Sequence, residues 1–195
     1  DPIDDDDLTR TIWNQIVESA EQANEPGVFT AIHGSEWTSL PDGNNLHRVV
    51  IMRDGGDKAS QVEPYTTFAP AGSDKPEDLW RALQAYEDKT GGQVLAIAHN
   101  GNLSNGGMFP LVDAAGNAIS REYAQTRADW EPLYEVTQMK GDGETHPLLS
   151  PNEEFADYET WDKGNLNLSV AKKPEMLPYE YARSGLKVGL QLARK

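Results

Sequence analysis

Three residues far apart along the chain are of the kinds that hold divalent metals: Glu36 in "GSEW", His47 in "NNLHR" and His99 in "AHNGN". A carboxylate with imidazoles on one rim forms a ligand set suited to Zn, Mn or Fe, and such ions at hydrolytic sites activate water. His99 carries the most information. It closes the apolar run "LAIA" and precedes Asn100-Gly101-Asn102, a polar turn with little packing reason to follow a buried strand. Glu36 and His47 also have plainer readings, as a loop cap and as a hydrogen-bonded strand histidine. Arg48, Asn100, Glu135, Gln138, Lys140 and His146 are the candidates to contact a small-molecule substrate. His33 reads as structural.

Other chemistries lack their residues. The chain has no cysteine, which removes disulfides, thiolate ligands and cysteine nucleophiles. No serine-centred nucleophile elbow and no carboxylate pair of the glycosidase kind is present. Asp142-Gly143-Glu144 resembles a piece of a calcium loop, but the rest of that spacing is missing.

The elements that must position the candidates follow from periodicity. A helix is predicted over about Leu8–Ala23, with Ile12, Trp13, Ile16, Val17 and Ala20 on one face, Asp6 or Asp7 as cap and "NEPG" as stop. "VFTAIHGSEWTS" reads as a strand ending near Glu36, "LPDGNN" as a turn and "LHRVVIMRD" as a second strand. An irregular connection over Gln61–Asp74 leads to the helix "KPEDLWRALQAYEDKTGG", and "QVLAIAH" is a third, buried strand. Then come the helix "SREYAQTRADWEP", the strand "LYEVTQMKG", the short helix "SPNEEFADYETWD" and the last helix "PYEYARSGLKVGLQLARK". Strands separated by helices predict an α/β fold with a mostly parallel sheet and long loops, and ligands beyond the carboxyl ends of the strands. On that layout Glu36, His99 and the Gln138–His146 loop share one rim.

The 195 residues suit a single domain. The formal net charge of −15 opposes binding to nucleic-acid phosphates, and no apolar run is long enough to span a membrane. The opening "DPIDDDDL" reads as a solvated leader or helix cap. Composition leaves the compartment open between cytoplasm and periplasm.

"PGVFTAIHGSEWTS", "NNLHRVVIMRD", "LAIAHNGNLSNGGMF", "EVTQMKGDGETHPLLSPNEEFADYE" and "EYARSGLKVGL" resemble a bacterial family of unknown function placed in the PHP (polymerase and histidinol phosphatase) superfamily. The resemblance covers nearly the whole chain. It implies a distorted β/α barrel with a metal site at its rim and phosphoesterase chemistry. It makes Glu36, His47 and His99 metal ligands, with Asn100 standing where that superfamily often has proline, and Glu135, Gln138 and Lys140 facing substrate. The superfamily's opening His-x-His and closing Asp-x-His motifs are not found. The implied reading is therefore residues 1–195 as the central part of a larger, partial barrel. Such a fragment is expected to be inactive alone and able to self-associate through open strand edges. Two other readings stay open: a non-catalytic binding or structural module, and a metal hydrolase acting on an amide or a non-phosphate ester.

Overall fold

The computed structural model describes residues 6–193. Helix α1 (Asp6–Ala23) and helix α3 (Pro76–Thr90) lie on one face of a four-stranded sheet, β1 (His33–Trp37), β2 (Arg48–Met52), β3 (Val94–Ala98) and β4 (Leu133–Tyr134), in the order β1-β2-β3-β4. A single turn, α2 (Gly56–Ala59), follows β2, and α4 (Arg121–Trp130) precedes β4. Two more two-residue strands, β5 (Thr137–Gln138) and β6 (Gly141–Asp142), pair with each other, and α5 (Ala182–Leu192) ends the described chain.

The sheet alternates with period two, and that alternation builds the core. Trp37, Val50, Met52, Val94 and Ala96 point to the helical side, where they meet Trp13 and Val17 of α1 and Leu79, Leu83 and Tyr86 of α3. Pro76 opens α3 and Gly91 closes it in the left-handed conformation at φ 63°, as the sequence signals require. In α1 only part of the predicted stripe is covered: Trp13 and Val17 are buried, whereas Ile12 and Ile16 remain exposed. The Trp13 indole N–H donates to Ala59 O at 3.0 Å and ties α1 to α2.

The mostly parallel, partial-barrel arrangement is not what forms. β1 pairs antiparallel with β2, and β2 antiparallel with β3; only β3 and β4 run parallel, and the sheet stays open. The reason lies in the connections. The ten-residue return between Trp37 and Arg48, built on the tight turn Pro41–Gly43, brings the chain straight back beside β1. Between β2 and β3 the chain leaves along the irregular stretch before Pro76 and comes back along α3. It makes two traverses, so β3 starts beside the end of β2, with Met52 opposite Val94. A parallel crossover makes one.

Other boundaries shift for local reasons. The first strand begins only at His33, because Glu25 and Phe29 bridge around Gly27 at φ +84° and divert the preceding residues into a turn. The predicted strand over 133–141 breaks into β4, β5 and the approach to β6. Residues 150–162 form turns instead of a helix: Phe155 and Tyr158 stay exposed, and without a face to bury, a short helix is unstable. The last helix starts at Ala182, after a 3₁₀ segment over Pro174–Tyr179. Most of the Asp-rich opening and the end of the last predicted helix lie outside the described residues. Asp6 and Asp7 fall inside α1.

Candidate metal centre

The face of the sheet turned away from the helices carries the site. Residues 34 and 36 of β1, 49 and 51 of β2, and 95 and 97 of β3 share the parity opposite to the core residues, and Gly34, Val49, Ile51, Leu95 and Ile97 are half-buried there. Glu36 belongs to this set. His47, one residue before β2, and His99, one residue after β3, continue it. Arg48 pairs with Ala98, and His99 N–H donates to His47 O at 3.4 Å on the next rung. The antiparallel turn of β2 is what makes the three meet, since the start of β2 lies beside the ends of β1 and β3. A parallel β2 puts His47 at the far end of the sheet.

One carboxylate oxygen reaches both rings. Glu36 Oε1 lies 3.0 Å from His47 Nδ1 and 3.1 Å from His99 Nε2. The ring centroids are 5.8 Å apart and nearly perpendicular, at 89°. The candidate ligand atoms of Glu36, His47 and His99 all lie within 4.8 Å of one another. An ion held at about 2.0–2.2 Å from each donor needs donors about 3–3.5 Å apart, so two of the three separations already suit it. The N, N, O donor set fits Zn, Mn or Fe, and this group could hold a cation. Burial pushes both imidazoles below their ordinary range, an effect opposed at His47 by its bond to Glu36 and at His99 by the charges of Glu36 and Glu135. Both rings are therefore neutral at neutral pH, the form that ligates metal.

The loop after β3 is fixed from several sides. Asn45 Nδ2 donates to the carbonyls of His99 and Asn100 at 2.9 and 3.0 Å. Asn100 adopts φ 52°, a left-handed turn that Asn tolerates. Gly101 N–H donates to Tyr134 Oη at 2.9 Å. Lys172 Nζ donates to Asn102 O at 2.7 Å and to both oxygens of Glu180 at 2.6 and 2.7 Å, inside the protein. Burial raises the Glu180 carboxyl and lowers the Lys172 ammonium, and each partner opposes the other's shift.

The other sequence candidates divide. Arg48 cannot receive a substrate: it lies on the core face, 1% exposed, with its Nε 3.0 Å from Glu131 Oε1 and its Nη1 donating to Leu46 O. His146 is held on both nitrogens, Nε2 by Asp162 at 3.0 Å and Nδ1 by the Leu148 N–H at 3.2 Å. Gln138 sits in the β5–β6 hairpin, paired with Gly141. Lys140 is exposed, and its charge acts on both His47 and His99. Asn100 is buried with Oδ1 unpartnered, and Glu135 follows β4 beside His99. His33 bonds Glu21 Oε1 at 2.7 Å at the opposite end of β1. Sequence reasoning missed Asn45 and Tyr134 as supports of the His99 loop. The doubled Asn44-Asn45 ahead of an apolar strand was the available signal for the first, and nothing in the sequence marked the second.

Among curated proteins and solved structures, none matches the chain. The family model described as "Protein of unknown function (DUF3604)" matches residues 1–195. That match carries no activity with it, and the site geometry is the remaining guide to chemistry. The chain belongs to the DUF3604 family of proteins of unknown function.

Proposed function

We propose that Glu36, His47 and His99 hold a divalent cation, Zn, Mn or Fe, and that the protein is a metal-dependent hydrolase whose substrate is a small phosphoester. The observation that carries the reading is the convergence of one carboxylate oxygen on two imidazoles, 3.0 and 3.1 Å away, on the sheet face opposite the helix-packed core. A cation held there supplies Lewis acidity and an acidified water. Glu36 offers the charge, and His47 and His99 offer lone pairs fixed by the rungs of β2 and β3. Val49 and Ile97, below them, give a low-dielectric floor that strengthens each electrostatic contact.

Lys140 favours an anionic substrate. It is exposed, its side chain makes no ion pair among the described residues, and its charge reaches both imidazoles in a chain that is otherwise strongly acidic. An ammonium so placed can bind a phosphoryl oxygen and offset the charge that builds up as the ester bond breaks. The likeness of "GSEW", "NNLHR" and "AHNGN" to ligand positions of PHP phosphoesterases points the same way. A second reading has its own support: with no cation, Glu36 Oε1 already hydrogen-bonds His47 Nδ1 and meets His99 Nε2 at 3.1 Å, as in a structural cluster.

Metal analysis of the purified protein separates the two, combined with hydrolysis assays on aryl phosphomonoesters and diesters. The hydrolase reading expects about one ion per chain, lost in Glu36→Gln, and turnover that a chelator abolishes. A protein that takes up no Zn, Mn or Fe at micromolar concentration is the structural cluster.

A further inference from the structure

We propose that Glu135 is the positioning residue that orients His99 for metal binding, by accepting the proton on its second ring nitrogen. The inference rests on the metal-centre reading above. Four observations lead to it. First, the parallel ladder pairs Ile97 with Leu133 and Ala98 with Tyr134, and Glu135 N–H donates to Ala98 O at 3.0 Å. The next rung therefore sets Glu135 beside His99, and alternation turns both side chains to the open face. Second, His99 is 2% exposed and its Nδ1 is buried with no hydrogen-bond partner. Third, Glu135 is half-buried, and among the described residues no hydrogen bond or ion pair occupies its carboxylate. Fourth, its oxygens are not part of the group of donors within 4.8 Å of one another, so it is not one of the candidate ligands. The negative charge of Glu135 acts on the His99 ring, consistent with this placement.

The chemistry completes the argument. When His99 ligates through Nε2, the side facing Glu36, its proton must reside on Nδ1. A buried N–H without an acceptor is costly, and metal-bound histidines accordingly donate that proton to a carboxylate or carbonyl. Among the described residues no hydrogen bond or ion pair holds the Glu135 side chain, and its rotation is the motion that would bring a carboxylate to Nδ1. The competing acceptor is Asn100 Oδ1, buried and also unpartnered.

The test uses zinc as the probe and two readouts. Zinc affinity is measured by chelator competition for the wild type, Glu135→Gln, Asn100→Ala and Glu36→Gln. Ring-nitrogen NMR of the zinc-loaded protein reads the His99 tautomer and the shift of its Nδ1 proton, assigned by its loss in His99→Asn. The expected result is a slowly exchanging Nδ1–H in the wild type. In Glu135→Gln it moves upfield and affinity falls about 10- to 100-fold. Asn100→Ala changes neither beyond about threefold, and thermal melts of Glu135→Gln match the wild type. Zinc binding by Glu135→Gln with unchanged affinity and an unmoved proton overturns the inference and leaves the metal centre standing. So does a shift caused by Asn100→Ala instead. Failure of the wild type to bind zinc overturns the inference, and failure to take up manganese and iron as well overturns the metal centre.

Discussion

Glu36 Oε1 stands 3.1 Å from His99 Nε2, a contact that spans the whole width of β2. A carboxylate rooted on the edge strand β1 thus reaches a histidine at the end of β3, and His47, at the start of the strand between them, completes the group. In Glu36→Gln the neutral amide replaces the charged donor. Zinc affinity is expected to fall by more than about 100-fold, a larger loss than is usual for an outer partner of the metal. Competition against a chromophoric chelator checks it; a variant within threefold of wild type removes Glu36 from the site.

Protons and metal compete for the same ring nitrogens. The imidazoles of His47 and His99 have pKa values lowered from 6.5, so they stay neutral somewhat below that pH. Zinc affinity is expected to be level from about pH 8 to 6.5. Below the lowered values it falls, with a slope of up to about two protons per ion. Binding isotherms between pH 5 and 8 decide it, and a decline that begins above pH 7 contradicts the depressed values.

The Glu131 side chain is 3% exposed and meets Arg48 Nε at 3.0 Å, Arg127 Nε at 3.1 Å and Trp80 Nε1 at 2.9 Å. Burial alone raises its pKa, yet the two guanidiniums and the hydrogen bonds outweigh this and leave it below the ordinary 4.5. The unfolded chain therefore binds a proton first on acidification. The stabilisation is complete above pH 4.5 and disappears as the pH falls through the lowered folded value. Glu131→Gln leaves Arg48 buried without its counter-charge, with an expected loss of about 3–5 kcal/mol at pH 7 and a flatter acid limb. Urea unfolding from pH 3 to 7 measures both.

Lys172 and Glu180 form an ion pair inside the protein, with side chains 4% and 0% exposed. Lys172→Met strands the Glu180 carboxylate and is expected to cost about 3–5 kcal/mol, whereas the double change Lys172→Met/Glu180→Leu costs clearly less because no charge is left unpaired. Paired denaturation curves test this; equal losses mean that the attraction itself, and not the stranded charge, sets the penalty.

Tyr134→Phe removes the acceptor of the buried Gly101 N–H. A loss of about 1–3 kcal/mol is expected, together with weaker zinc binding, because Gly101 belongs to the turn that sets His99. Calorimetric melting and the chelator assay report the two effects separately.

The helices α1 and α3 were legible in the sequence because their apolar spacing and stop signals agree, and so were β2 and β3 and the approach of Glu36 to His99. Strand direction was not. "RVVIM" and "VLAIA" are apolar on both faces, and such runs read alike whether parallel or antiparallel. What decided direction was the irregular path before Pro76, which carries no pattern. Arg48 was misread for a related reason. Its charge suggests a surface role, but its parity places it in the core, and its partner Glu131 lies far along the chain with no spacing rule to link them. His99 could be singled out because a buried strand ending in a polar turn conflicts with packing alone.

A single alternation now serves two ends. In β2 the residues Arg48, Val50 and Met52 fill the core, while Val49 and Ile51, with His47 just before the strand, face the open side. Adding or deleting one residue within this strand exchanges the two sets, driving His47 inward and the Arg48 guanidinium outward. Indel scanning is therefore expected to show a short intolerant window over β2, where folding and metal uptake vanish together.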